Sequence, residues 1–412
     1  MGVISSPADD SPMADIYEEF DIPRVVNAAG TKTRIGGSRI RPEALDAMSE
    51  AAESFVRLSD LQAAASARIA NVTGADAGYV TNGAAGALML AAAAAIAGDD
   101  RAVMARLPDT DGVADEIVMP RTHRTGYDHA LRTAGATIVD VGTNDPHIGT
   151  GAAETEPWEL DAAITEDTAA VAYIAKSYTE PPLSVVTEVA HENDVPVIVD
   201  AAAEVPPVSN FRRFTEAGAD LVAFSGGKGI RGPQTTGILA GRRDLIRSVA
   251  AQHLDMHAAA AIWEPPASLF DDWADGGVPR QGIGRPLKVG KEEIAGLLRA
   301  LELFLEEDQE TKQAEWQARS ERIAAGLAAL DGVSTHVTEG QKVSVAPEAV
   351  VTLDESVTAL SYVDLLRALR EENPRIFVGS DDASDGRFSV NPMCLTDDEA
   401  AHVVERVRAH LG

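Results

Sequence analysis

Between Ala77 and Gly241 the chain repeats one pattern. Short apolar runs (AGYVT, EIVMP, ATIVDVG, AAVAYIA, VPVIVD, DLVAFS and TGILA) alternate with stretches whose apolar residues fall at helical spacing. The runs are nearly continuous in apolar and β-branched residues instead of alternating with polar ones, which predicts strands covered on both faces. The segments between them, among them AAGALMLAAAAAIAG, TGYDHALRTAG, SVVTEVAHEN and NFRRFTEAG, are long enough for crossover helices. The expectation is an α/β fold with a mostly parallel seven-stranded sheet between helices. Ligands of such sheets bind beyond the carboxyl ends of the strands, so the residues that close each run are where chemistry is to be sought.

From Lys288 the period changes. KVGKEEIAGLLRALELFLEE and ERIAAGLAAL repeat apolar residues at three- and four-residue steps, which predicts a long connecting helix. VSTHV, VVTLDE, SYVDLLRALREEN, RIFVGS, GRFSVNP and DDEAAHVVERVRAHL then read as a smaller α+β domain. The expected division is an acidic flexible leader (1–22), a large α/β domain with its N-terminal arm (23–285), and a connecting helix with the small domain (286–412). The leader opens with MGVISS, which fits the Met-Gly-x-x-x-Ser acylation pattern, although a solvated acidic leader accounts for the same residues.

Charge narrows the class. Across 412 residues, 35 basic side chains face 65 acidic ones, a net charge of −30, and the acidic residues are spread along the chain. That is the surface expected of a salt-adapted (halophilic) cytoplasmic protein, and it argues against nucleic acid as a partner, which calls for a basic face. Lysine is scarce: Lys32, Lys176, Lys228, Lys288, Lys291, Lys312 and Lys342 are the whole set, the remaining basic residues being arginine. One cysteine, Cys394, excludes an internal disulfide and a cysteine-rich metal site. His253-x-x-x-His257 could present two imidazoles on one helix face, but no third metal ligand lies near, so no metal is expected. The longest apolar run, ALMLAAAAAIAG, is too short to span a bilayer, and no secretory signal opens the chain, so no membrane partner is expected.

The most informative stretch is SGGKGIRGPQ, Ser225 to Gln234. A Walker phosphate loop would need Ser or Thr after the lysine and Gly at position 222; Gly229 and Val222 stand there. Ser225-x-x-Lys228 matches the serine–lysine acylase pattern, but neither S-D-N nor K-T-G occurs. A lysine that bonds the aldehyde of pyridoxal 5′-phosphate meets more of its requirements. Lys228 follows the run DLVAFS. Asp200 closes the run VPVIVD and would reach the same sheet edge, where a carboxylate can keep a pyridine nitrogen protonated. Asn82, Gly83, Ala84 and Ala85 open a helix and can offer backbone N–H groups to a phosphate, with the Ser225 hydroxyl as a further donor. The glycines around Lys228 are of the kind that lets backbone approach a ligand closely. A plain surface lysine is the competing reading.

The order of these parts resembles fold type I pyridoxal-phosphate enzymes. The wording of VVNAAGTKTRIGGSRIRPEALDAM, SFVRLSDLQAAASARIANVTGADAGYVTNGAAGAL, VIVDAAAEVPP, DLVAFSGGKGIRGPQTTGIL and GIGRPLKVGKEEIAGLL is similar to the branch holding selenocysteine synthase (L-seryl-tRNA selenium transferase) and D-glucosaminate-6-phosphate ammonia-lyase-like proteins. That resemblance implies Lys228 as the Schiff-base lysine, Asp200 on the ring nitrogen, and Gly83 to Ala85 with Ser225 on the phosphate. It also implies His123, after EIVMP, against the cofactor ring, with Tyr127 and His129 competing for that place. Ser177, after AAVAYIA, falls near the phenolic oxygen. Arg39, Arg41, Arg285, Lys288 and Arg387 are candidates for an anionic group of a small-molecule amine substrate, with surface ion pairing as their alternative.

The activity implied is α,β-elimination of a hydroxylated amino acid or amino-sugar acid to a 2-oxo acid and ammonia. An aminotransferase, racemase or decarboxylase on the same cofactor is the runner-up. A selenium transferase on seryl-tRNA is disfavoured by the acidic surface and by the short stretch before VVNAAGT, and a non-catalytic pyridoxal-phosphate binder by the intact constellation. A homodimer or a multiple of dimers is the assembly expected of the fold.

Overall fold

The computed structural model describes residues 16–143, 155–177, 179–271, 273, 277–339, 345–380 and 386–412. In chain order its strands are β1 (Val25–Ala28), β2 (Ala77–Asn82), β3 (Glu116–Pro120) and β4 (Thr137–Val141). Then come β5 (Thr168–Ile174), β6 (Val197–Asp200), β7 (Leu221–Ser225) and β8 (Thr236–Gly241). The last four are β9 (Val333–Val337), β10 (Ala349–Leu353), β11 (Arg375–Val378) and β12 (Arg387–Val390).

Two compact units divide these elements. The larger comprises the described parts of Thr31–Ala314 and of Glu339–Val345. Its seven-stranded sheet has the order β2-β8-β7-β6-β5-β3-β4. Only β8 is reversed, pairing antiparallel with both β2 and β7. All seven strands fall where the apolar runs predict them. Successive residues bury on opposite faces, as the pleat demands. Tyr79, Ile117, Met119, Ile198 and Leu239 pack with the helix Gly83–Ala97, whereas Val80, Val118, Val197, Val199 and Ile238 pack on the other face with Ile69, Phe211, Leu297 and Phe304. The helix Gly83–Ala97 is apolar on all sides because it lies in the core: Leu88, Leu90 and the alanines from Ala91 to Ala94 are buried. Its alanines let it lie close against the sheet.

The smaller unit gathers the described parts of Met1–Gly30, Glu315–Thr338 and Ala346–Gly412. It holds an antiparallel sheet β12-β10-β9 and a two-stranded parallel pair, β1 with β11. Its core joins Val26, Ala28, Leu327, Val351, Leu365, Leu369, Phe388 and Val403. This division departs from the expected one at two places. The arm residues Val25–Ala28 belong with the C-terminal elements because β1 has its partner there, and the helix Lys291–Glu306 belongs with the large unit. Of the expected flexible leader, residues 1–15 lie outside the described residues, and Ile16–Glu19 form one helical turn.

Candidate active site

β2, β3, β5, β6 and β7 run in one direction, so Asn82, Pro120, Ile174, Asp200 and Ser225 close their strands on a common edge. Asp200 pairs in register with Ile174 on one side and with Ala223 on the other. Three residues past Ser225, Lys228 rises from a closed turn in which Gly226 N–H donates to Thr236 O at 2.9 Å, Gly232 N–H to Gly226 O at 2.9 Å and Arg231 N–H to Lys228 O at 3.0 Å. The glycines have a different reason from the one expected. A Cβ on Gly227 would lie 2.4 Å from Gln234 Cα, and one on Gly229 would lie 2.3 Å from Val205 O. They let backbone pack on backbone, which fixes where Lys228 begins.

Burial holds the Lys228 ammonium below the ordinary lysine range; Asp200 pulls it back upward and Lys176 adds to the lowering. A lysine so placed loses its proton more easily than an exposed one, as a base or carbonyl nucleophile must.

The segment GGSRIR serves the same loop. Ser38 Oγ donates to Gly227 O at 2.8 Å and Arg231 Nε to Arg39 O at 3.1 Å. Arg41 donates through Nε to Ile230 O and through Nη2 to Glu307, both at 3.0 Å, and is only 8% exposed. Arg41 is therefore a strap on the lysine loop and not a substrate ligand. Arg39 lends its carbonyl to that strap while its side chain lies at the surface.

Across the edge, the helix Gly83–Ala97 starts on Gly83 with φ +66°, and no side chain caps it. Its first-turn amides, including those of Gly83, Ala84 and Ala85, therefore have no intrahelical acceptor. Gly237 on β8 pairs with Thr81 on one side and with Ser225 on the other. A Cβ there would lie 2.4 Å from Gly83 C, so the bare glycine is what seats the turn beside the serine strand. Gly237→Ala is expected to destabilise the protein by about 1–3 kcal/mol through overpacking against backbone. It should also weaken pyridoxal-phosphate uptake, checked by thermal melting and cofactor titration.

His123 is 3% exposed and packs edge-on against Tyr173, with ring centroids 4.8 Å apart. Its Nδ1 accepts from Ile174 N–H at 3.4 Å, and its Nε2 then donates to Glu180 O at 3.0 Å. Burial lowers its pKa, so the ring is held neutral. With both nitrogens bonded to backbone, His123 is fixed at the edge where the resemblance expects it against the cofactor ring. His129 and Tyr127 lie on the helix Asp128–Thr133 and just before it. Ser177 follows β5 at the same edge.

Arg285 and Lys288 are exposed, and Lys288 O accepts from Asn82 Nδ2 at 3.1 Å, which ties this segment beside the helix start. Arg387 opens β12 in the smaller unit. His253 has no nitrogen for a metal, since Tyr79 Oη is 2.8 Å from Nδ1 and Leu287 O is 2.8 Å from Nε2. Among the described residues no cluster of His, Cys, Asp and Glu could hold an ion. Two residues of this edge escaped the reading of the sequence: Lys176 Nζ lies 3.1 Å from Glu204 Oε1, both close enough to act on Lys228. The scarcity of lysine was the signal that could have found the first.

The donor set fits pyridoxal 5′-phosphate. Uncapped amides and a hydroxyl suit its phosphate, a carboxylate its ring nitrogen, and a buried amine its aldehyde. A sheet of this order, with a lysine loop after one strand and a carboxylate closing its neighbour, defines the fold type I class of pyridoxal-phosphate-dependent enzymes. Within it, the chain belongs to the L-seryl-tRNA selenium transferase (SelA) family, whose sequence model matches residues 25–257. It is 31% identical over 402 residues to D-glucosaminate-6-phosphate ammonia lyase of Salmonella typhimurium, covering 96% of this chain and 97% of that one. It is 29% identical over 401 residues to a 5′-C-glycyluridine monooxygenase-decarboxylase of Streptomyces, covering 95% and 90%. A solved structure of D-glucosaminate-6-phosphate ammonia-lyase superposes with a TM-score of 0.78 at 29% identity, covering 97% of this chain and 98% of that one.

Proposed function

We propose that this chain is a pyridoxal-phosphate-dependent ammonia-lyase acting on a hydroxylated amino-sugar acid, releasing a 2-oxo acid and ammonia. The observation that carries the reading is the likeness to D-glucosaminate-6-phosphate ammonia lyase over nearly the whole of both chains. When bound, the cofactor supplies an electron sink at the substrate α-carbon. Gly83, Ala84, Ala85 and Ser225 hold its phosphate, Asp200 its ring nitrogen, Lys228 its aldehyde carbon and Ser177 its phenolic oxygen, with His123 orienting the site. Lys228, eased toward neutrality by burial, removes the α-proton. Arg285 and Lys288, with Arg39 as a further candidate, bind the anionic groups of the substrate.

Incubation with D-glucosaminate or its 6-phosphate is expected to yield a 2-oxo acid. No product from either, nor from serine or threonine, overturns the proposal. The likeness to the monooxygenase-decarboxylase supports a second reading, decarboxylation at the same site, which oxygen uptake and carbon dioxide release would distinguish from elimination.

No helix among the described residues is long and apolar enough to cross a membrane. We place the enzyme in a salt-rich cytoplasm, on the strength of its net charge of −30, as a homodimer or a multiple of dimers. Light scattering in molar salt is expected to return an even multiple of the chain mass; a monomer that is active would refute that assembly.

A further inference from the structure

The sheet edge carries a second amine to which the proposed reaction has so far given no task. Lys176 lies two residues beyond β5, whose last residue pairs with Asp200, and Ala175 N–H donates to Asp200 O at 2.9 Å. Its Nζ is 3.1 Å from Glu204 Oε1, with the two side chains 35% and 16% exposed. Glu204 is itself anchored, its N–H donating to Ala201 O at 3.1 Å and its carbonyl accepting from Asn210 Nδ2 at 2.6 Å. Lys176 and Glu204 act on the Lys228 ammonium with opposite signs, and Lys32 acts on it as well. Two of the chain's other lysines, Lys176 and Lys32, thus lie within electrostatic reach of Lys228. Elsewhere the chain makes its cations chiefly from arginine, which pairs with carboxylates at least as well but cannot give up its proton. A lysine retained in this ion pair fits a proton that has to move.

We infer that Lys176, steered by Glu204, is the general acid that protonates the departing β-hydroxyl. The inference rests on the ammonia-lyase reading. In the step, the α-proton passes to Lys228 and the Cα–H electron pair becomes the Cα=Cβ bond. The Cβ–O bond breaks with its pair on oxygen, a proton leaves Lys176 Nζ for that oxygen, and water departs. Lys228 then yields its proton to solvent and Lys176 regains one from solvent, so the charge of the site is restored.

The test compares D-glucosaminate 6-phosphate with its 3-chloro-3-deoxy analogue, whose chloride leaves without a proton. Lys176→Met is expected to slow 2-oxo acid formation from the hydroxylated substrate by roughly 10²-fold while changing that from the chloro analogue little. Lys176→Arg should be as slow as Met on the hydroxylated substrate, because charge alone does not replace the proton. Cofactor content per chain and melting temperature should match wild type in both variants. Equal losses on the two substrates, rescue by arginine, unchanged turnover in Lys176→Met, or loss of bound cofactor would each overturn the inference. If wild type forms no 2-oxo acid from either substrate, the ammonia-lyase reading itself falls. If wild type turns over both and the loss ignores the leaving group, only the role of Lys176 falls.

Discussion

Lys228→Ala is expected to abolish the visible absorbance of the pyridoxal-phosphate-loaded protein and to lower 2-oxo acid formation by about 10⁴-fold, the upper range for removal of a general base. The expectation comes from geometry before chemistry. The turn Gly226–Gly232 is closed by its own backbone and clamped by Ser38 and Arg41, so the side chain at 228 starts from a fixed point. Borohydride reduction of the wild-type protein should leave a phosphopyridoxyl group on the peptide containing Lys228. Label on Lys176 or Lys32, the two other lysines within its electrostatic reach, would sink the assignment. Stability should move the other way. Burial lowers the Lys228 pKa, so the folded state disfavours the ammonium relative to the unfolded chain. The resulting penalty is present at neutral pH and fades as pH rises toward the unfolded lysine value. Cofactor-free Lys228→Met should therefore melt no lower than cofactor-free wild type at pH 7, and the difference should shrink as pH rises.

Strands of the large sheet were legible because burial on both faces leaves little room for polar residues within them, so each appears as a continuous apolar run. The pairing of β1 with β11 was not, since a four-residue strand whose partner lies near the other end of the chain has no local signature. That Lys228 and Asp200 come to one sheet edge could be read from residue type and position at a strand end alone. Arg41 could not be assigned correctly that way. A guanidinium in sequence looks the same whether it binds a ligand or a carbonyl, and its carbonyl, Ile230 O, lies 189 residues on. His123 closes on the edge where its strand ends, but its two hydrogen-bond partners, Ile174 N–H and Glu180 O, are backbone groups that only the fold brings to it. The Lys176–Glu204 pair joins residues 28 apart in two different loops, a contact that exists only once β5 and β6 are neighbours.

Asp200→Asn separates charge from shape at the other end of the proposed cofactor site. Asp200 Oδ1 accepts from Ala202 N–H at 3.0 Å, a bond that an asparagine oxygen can keep, so the strand end should hold its form and the melting temperature should change little. What disappears is the negative charge proposed to face the ring nitrogen. At a separation of ~4 Å and an effective dielectric constant of about 20, a charge pair contributes on the order of 4 kcal/mol. Lost from the transition state alone, that corresponds to a rate lower by about 10³-fold. The variant should still take up pyridoxal 5′-phosphate, because Lys228 and the phosphate donors are untouched. A second consequence follows from the attraction between Asp200 and the Lys228 ammonium, which raises the lysine pKa. Without it the Lys228 pKa falls further, and the rising limb of the pH–rate profile should move to lower pH even as the plateau drops. A plateau within tenfold of wild type would remove Asp200 from the ring nitrogen, and a limb displaced to higher pH would remove it from the electrostatics of Lys228.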